Sequence, residues 1–294
     1  MKLAVIGVVW FWAASVPQPT EVARVRTYTE GPVFDRQGNL FFTHNQGVAK
    51  LSAGGELSDW VSGTEAGYNG HKILPDGTHL VCASKKHAIW RLAPDGKFLG
   101  VATDSCDGKP LRGPNDITLD DQGGYYFTDP DGSRQAPIGT VHYVDRAGKT
   151  YLCYGGMRVP NGLVVDFDRK LLYVAETVFN RIVKFRILSP GKLGSLEVVA
   201  TLPTREGHDV GPDGITIDTK GNVYVAHLGT GHVLVVDPEG KLVRTLDGGN
   251  YDVSNLTFGG PNLSQLFVTG SITHRKTGAG RVYRLDLQGV SGRR

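Results

Sequence analysis

No block of five like charges occurs anywhere in this 294-residue chain, and the formal net charge is only +3, from 32 basic against 29 acidic residues. Nothing in the sequence therefore advertises nucleic acid. The terminal Ser-Gly-Arg-Arg reads as a solvated tail rather than a recognition arm. Cysteine is scarce: Cys82, Cys106 and Cys153 match no zinc spacing, and an odd number closes no disulfide framework. They read as small core residues, with one Cys–Cys bridge as the alternative. A G-x-S-x-G elbow, an HExxH helix and a Walker loop are all missing, so no serine nucleophile is visible. No apolar run is long enough to span a bilayer. The run Leu3 to Ala14 follows Lys2 and ends in the small residues Ala13-Ala14-Ser15, so residues 1–15 form a candidate signal peptide. Cleavage there would place the protein in the periplasm or outside the cell; without it the protein is cytoplasmic.

What the chain does have is a repeat. Hydrophobic residues make up 40% and charged residues 21%, enough apolar content for a packed core and too little charge for disorder. Its 40 glycines fall in Asp-Gly, Gly-Asn and Pro-Asp-Gly contexts between apolar runs, which marks hairpin turns. Segments such as NVYVAHL and RVYRLDL are β-branched and aromatic and lack a 3.6-residue apolar period. Two hairpins recur per unit, as in ILPDGTHLVCASK followed by AIWRLAPDGKFLGVA. The expected fold is all-β: a six-bladed β-propeller with four-stranded blades, in one domain over residues 22–290. The sixth unit ends one strand short. The segment ARVRTYT, which has no hairpin partner nearby, is expected to complete that blade and close the ring.

Each unit opens on a polar side chain: Glu30 in EGPVF, Asn69 in NGHKI, Asn115 in NDITL, Asn161 in NGLVV, Asp213 in DGITI and Asn255 in NLTFG. The intervals are 39, 46, 46, 52 and 42 residues, a blade-length period. An isolated Asn-Gly or Asp-Gly would be read as a turn. Six at blade entrances are expected to converge on one mouth of the central channel. Two carboxylates and four carboxamides make a hard oxygen environment suited to Ca²⁺, Mg²⁺, Mn²⁺ or Fe²⁺. The loops Cys106 to Pro114, Pro130 to Gly139, Pro203 to Pro212 and Ser271 to Gly280 are long enough to carry function. Asp129 after YYFT is either a turn opener or a channel residue at the far end, and His274 either contacts substrate or is an exposed loop histidine. His44 and His227, expected at the ends of inner strands, suit buried hydrogen-bonded roles.

The stretches EGPVF, PNDITLDDQGGYYFTDP, VPNGLVVDFDRKLLYVAET and GPDGITIDTKGNVYVAH resemble, in order and spacing, the blade motifs of the senescence-marker-protein/gluconolactonase family, over about residues 22 to 287. The resemblance implies one divalent cation, usually Ca²⁺ and in some members another divalent ion such as Zn²⁺, at positions matching Glu30, Asn161 and Asp213. Asn115 matches a position that ligates the metal or binds substrate. Asp213 is implied as ligand and as general base or nucleophile. Arg112 lies three residues before Asn115, where some relatives show an arginine two residues before. Arg112, Asn69, Asn255, His274 and Asp129 are the candidate substrate contacts. The implied activity is metal-dependent hydrolysis of a sugar lactone or similar small cyclic ester. The alternatives are organophosphate hydrolysis on the same metal, or a non-enzymatic calcium- or ligand-binding propeller. The sequence carries no signal for oligomeric state.

Overall fold

The computed structural model describes residues 17–130, 134–206, 209–274 and 278–293; the candidate signal peptide lies outside them. Strands follow one another as antiparallel hairpins, and sets of four pair in sequence order, lettered a to d from the axis outward. Blade 1 comprises Thr29–Phe34, Leu40–His44, Gly47–Leu51 and Leu57–Ser62. Blade 2 comprises Tyr68–Ile73, His79–Ala83, Ala88–Leu92 and Phe98–Thr103. Blade 3 comprises Ile117–Leu119, Tyr125–Asp129, Gly139–Val144 and Thr150–Met157. Blade 4 comprises Pro160–Asp166, Leu171–Glu176, Arg181–Ser189 and Glu197–Thr201. Blade 5 comprises Gly211–Ile217, Val223–Leu228, His232–Val236 and Leu242–Asp247. Blade 6 comprises Asp252–Gly259, Gln265–Ser271 and Gly280–Asp286, completed by Thr20–Val25.

The closing strand is the expected one, shifted toward the N-terminus: Thr20 to Val25 pair antiparallel with Arg284 to Gly280, and Thr29 already opens blade 1. The a strands touch in the cyclic order 1 to 6 and back to 1, so the sheets form a closed ring. Apolar burial follows that geometry. Six clusters each straddle two neighbouring blades; Tyr224, Val233 and Leu246 of blade 5, for example, pack on Leu256, Phe258 and Leu285 of blade 6. Aspartates fix the turns: Asp35, Asp120, Asp145 and Asp218 each accept backbone N–H groups two and four residues on.

Three sequence expectations need correction. Asp129, His44 and His227 belong to b strands rather than inner strands. The Ser-Gly-Arg-Arg tail is not simply solvated, because Arg293 pairs with the buried Asp166 at 3.1 Å and with Asp168 at 2.6 Å, and its N–H donates to the Ile217 carbonyl. The loop Cys106 to Pro114 carries part of a two-stranded ribbon, Ser105–Cys106 against Lys109–Pro110. All three cysteines are free thiols.

Candidate functional site

Every a strand is irregular at the same place. Regular pairing breaks between Tyr68 and His71, Pro160 and Leu163, Pro212 and Ile215, and Val253 and Leu256, leaving two residues opposite one. Blade 3 has the same step, with Asn115 N–H donating to the Thr128 carbonyl and Thr128 N–H to the Asp116 carbonyl. In blade 1 the break spans Glu30 to Val33, displaced one residue downstream because Pro32 has no N–H to give the ladder. Such bulges bend a strand and re-aim its side chains. Asn-Gly and Asp-Gly here are therefore bulges rather than hairpin turns.

The bulges define a first ring of Glu30, Asn69, Asn115, Asn161, Asp213 and Ser254, and a second ring of Gly31, Gly70, Asp116, Gly162, Gly214 and Asn255. Glycine in the second ring lets neighbouring blades close up. A Cβ on Gly162 would stand 2.5 Å from the Asp213 carbonyl oxygen and 2.6 Å from the Gly214 Cα, and one on Gly70 would stand 2.5 Å from the Asp116 Cα. Asn255 is thus one residue out of step with the other five sequence-identified positions, and the true sixth member, Ser254, donates to the Thr29 carbonyl at 2.7 Å. Hydroxyls tie other interfaces likewise: Thr43 to the Asn69 carbonyl, Thr128 to that of Asn161 and Thr177 to that of Pro212.

Within the first ring, Glu30 and Asp213 come from blades 1 and 5 and are buried. One phenol joins them: Tyr28 Oη donates to Glu30 Oε1 at 2.9 Å and lies 3.4 Å from Asp213 Oδ2. Glu30 Oε2 also accepts the Gly31 N–H at 3.0 Å. Burial, reinforced by the Glu30 and Asp213 charges, pushes the Tyr28 phenol well above its usual range, so it stays a neutral donor. Asn161 Nδ2 donates to Thr177 Oγ1 at 3.2 Å, which fixes the amide and leaves Oδ1 without a hydrogen bond. The carboxamides of Asn69 and Asn115 are half-buried and make no side-chain hydrogen bond among the described residues. Nor do three His, Cys, Asp or Glu side chains gather there as a metal-ligating group. The oxygen set is two carboxylates with carboxamides.

The second ring holds the waist of the channel. Asn255 Nδ2 reaches Asp116 Oδ2 at 3.4 Å, three blades away and hence across the axis, while Asn255 Oδ1 accepts the Leu256 N–H. Both Asn255 amide atoms are occupied there, below the mouth rather than at a substrate. Burial raises the Asp116 carboxyl to about 6, against the opposing Lys72 charge, the Ile117 N–H and Asn255.

The remaining candidates surround the mouth with different tasks. Asp129 is not a channel residue at the far end: its carboxylate accepts the backbone N–H groups of Arg112 and Gly113 at 2.7–3.0 Å, holding the loop ahead of Asn115. The Arg112 guanidinium is exposed and donates to the Ile138 carbonyl. His274 lies 3.7 Å from Asp252 and edge-on to Tyr251. His227 is buried against Asn180 at 3.0 Å, as expected. Sequence reasoning missed the same clamp in blade 4. There Glu176 accepts the Arg158 N–H at 2.7 Å and pairs with Arg181, and both guanidiniums cover the Phe179 ring. The register signal was present, since Arg158 precedes Asn161 by three residues as Arg112 precedes Asn115.

Fold and mouth together define a six-bladed propeller with an acid- and amide-lined channel entrance. Residues 28–272 match the model of the SMP-30/Gluconolactonase/LRE-like region. The chain belongs to that family. It is 28% identical to a gluconolactonase of Zymomonas mobilis over 288 residues, covering 87% of this chain and 80% of that protein. It is 26% identical to a diisopropyl-fluorophosphatase of Loligo vulgaris over 251 residues, 76% of this chain and 79% of that one. Among solved structures, a gluconolactonase from Xanthomonas campestris shares the fold at a TM-score of 0.78, with 23% identity over 94% of this chain and 96% of that chain.

Proposed function

We propose that the chain is a divalent-cation-dependent hydrolase that opens a sugar lactone or similar small cyclic ester in the upper mouth of the propeller. The observation that carries this reading is the convergence of Glu30 and Asp213 on one phenol. Two buried carboxylates this close repel each other unless a proton or cation intervenes. A divalent ion balances their charge, and Asn161 Oδ1 with the Asn115 carboxamide extends an all-oxygen donor set, so these residues fit such an ion. Ca²⁺ is the first choice; Mg²⁺, Mn²⁺, Zn²⁺ and Fe²⁺ are the alternatives. The gluconolactonase among the relatives supports the lactone.

When bound, the cation supplies Lewis-acid polarisation of the ester carbonyl. Asp213 accepts the proton of the attacking water. Asn69, whose amide is uncommitted, hydrogen-bonds the ring hydroxyls, and Tyr28 keeps Glu30 and Asp213 in register. A second reading, hydrolysis of organophosphorus esters in the same mouth, is favoured by the diisopropyl-fluorophosphatase relative. Lactone and phosphotriester panels run with and without chelator separate the two; calcium binding with no turnover of either would favour a non-catalytic propeller. Asp213→Asn is expected to lower kcat/KM roughly 10²–10⁴-fold, whereas full activity of that variant with metal present would exclude the mechanism.

A further inference from the structure

Below the waist the channel opens again, into a cavity of about 330 Å³ on the opposite face. Each a strand contributes to its wall the second residue beyond the waist: Val33, Lys72, Thr118, Val164, Thr216 and Thr257. The ring therefore offers one ammonium, three hydroxyls and two apolar side chains. Among the described residues Lys72 has no ion pair, and the Thr118, Thr216 and Thr257 hydroxyls make no hydrogen bond. The carboxylates near the rim are otherwise engaged: Asp35 by Gln37, Asn39 and the Asn39 amide, Asp120 by Gln122, Gly124 and the Tyr143 hydroxyl. Arg293, also on the wall, is held by Asp166 and Asp168. Above the cavity, Asp116 faces Asn255 and the Ile117 N–H.

A lysine that makes no ion pair, its charge acting on the buried Asp116 carboxyl above it, stands in a small concave site beside three hydroxyls not committed to protein hydrogen bonds; an ammonium with hydroxyl donors is the chemistry that recognises an oxyanion. The volume is at the low end of the range for small-molecule sites. We propose that the lower mouth is a second binding site, separate from the upper ring, for the carboxylate or phosphate group of a small anion seated on Lys72, Thr118, Thr216 and Thr257. Crossing the waist would require breaking the Asp116–Asn255 contact, so the two mouths bind independently.

Calorimetric titration of the intact protein with sodium sulfate, sodium gluconate and neutral xylitol, at constant ionic strength, tests this. At least one anion should saturate a single site and xylitol should not. Saturation by both means the oxyanion alone suffices, as for a free inorganic anion; saturation by gluconate alone identifies a hydroxy acid. Lys72→Met should weaken binding by about tenfold or more and Lys72→Arg by no more than about threefold, the difference between losing and keeping the charge. Asp213→Asn, in the upper ring, should leave the affinity unchanged. The proposal is overturned if neither anion saturates by about 50 mM, equivalent to under 2 kcal/mol. It is equally overturned if Lys72→Met binds like the wild type, or if Asp213→Asn abolishes binding and so moves the anion to the upper mouth.

Discussion

Tyr28 contributes one proton to a place where two negative groups meet. That phenol is a bridge between Glu30 and Asp213. Hydrogen bonds to charged groups stabilise by about 1.5–3 kcal/mol. Tyr28→Phe should therefore lower stability by roughly that amount without metal, and millimolar Ca²⁺ should restore much of the loss, which thermal melts with and without chelator would read. An equal loss under both conditions would mean that the phenol matters only for packing. The sequence announced Glu30, Asn69, Asn115, Asn161 and Asp213 through their period, because polar residues opening strands are rare. Tyr28 and Asp116 stayed hidden: a tyrosine beside a strand reads as core, and Asp116 occupies a slot that is glycine in four other blades. Asn255 was misplaced because the motif NLTFG offers the same polar letter one position late.

At the scale of the strand, the bulge turns an ordinary turn doublet into a site. Gly162→Ala would push a methyl against the backbone of the neighbouring bulge, where no side chain can swing away. A loss of about 1–3 kcal/mol is expected for such overpacking, with a fall in activity because Asp213 is displaced; a fully active, equally stable variant would show that the blades can separate there. Blade 2 carries a second element-level device. His71 Nε2 and His79 Nδ1 stand 2.8 Å apart under Trp60 and Phe41. His71 Nδ1 has no partner, so the bare nitrogen is the acceptor side and Nε2–H the donor. Burial depresses His79 to about 4, and burial with the His79 charge takes His71 well below its usual value. Both are neutral in the fold and protonate readily once unfolded. Their stabilisation is complete above about pH 6.5 and is lost as the pH falls toward 4, by roughly 3 kcal/mol for His79 alone. Denaturant titrations between pH 7 and 4 should show that slope, and the double replacement by phenylalanine should flatten it. The imidazole pair was not legible beforehand, because the two residues are eight apart and only the hairpin brings them together.

For the molecule as a whole, closure was the most legible feature. A ring short by one strand at its end and long by one at its start has a single economical solution. The clusters at the six blade interfaces leave no central core, so stability depends on every neighbour being present. Removing residues 17–25 would bare the edge of Gly280–Asp286 and uncover Val282. The shortened chain is expected to melt roughly 5–10 °C lower, a loss of a few kcal/mol at this size, and to self-associate through the open edge on gel filtration. Unchanged melting and a monomeric profile would make the closing strand dispensable. What the sequence did not show was that the tail also matters, since Arg293 gains its carboxylate partners only when blades 4 and 5 lie side by side.

The pairing of Thr20 with Arg284 and the contact of Arg293 with Ile217 bring both ends of the described chain to the same lower side of the disc. A resin, surface or fused domain joined directly at Thr20 or Arg293 would thus hang beneath the disc, and a dense array of immobilised molecules would present Glu30 and Asp213 to the passing solution while crowding the lysine-bearing side against the support.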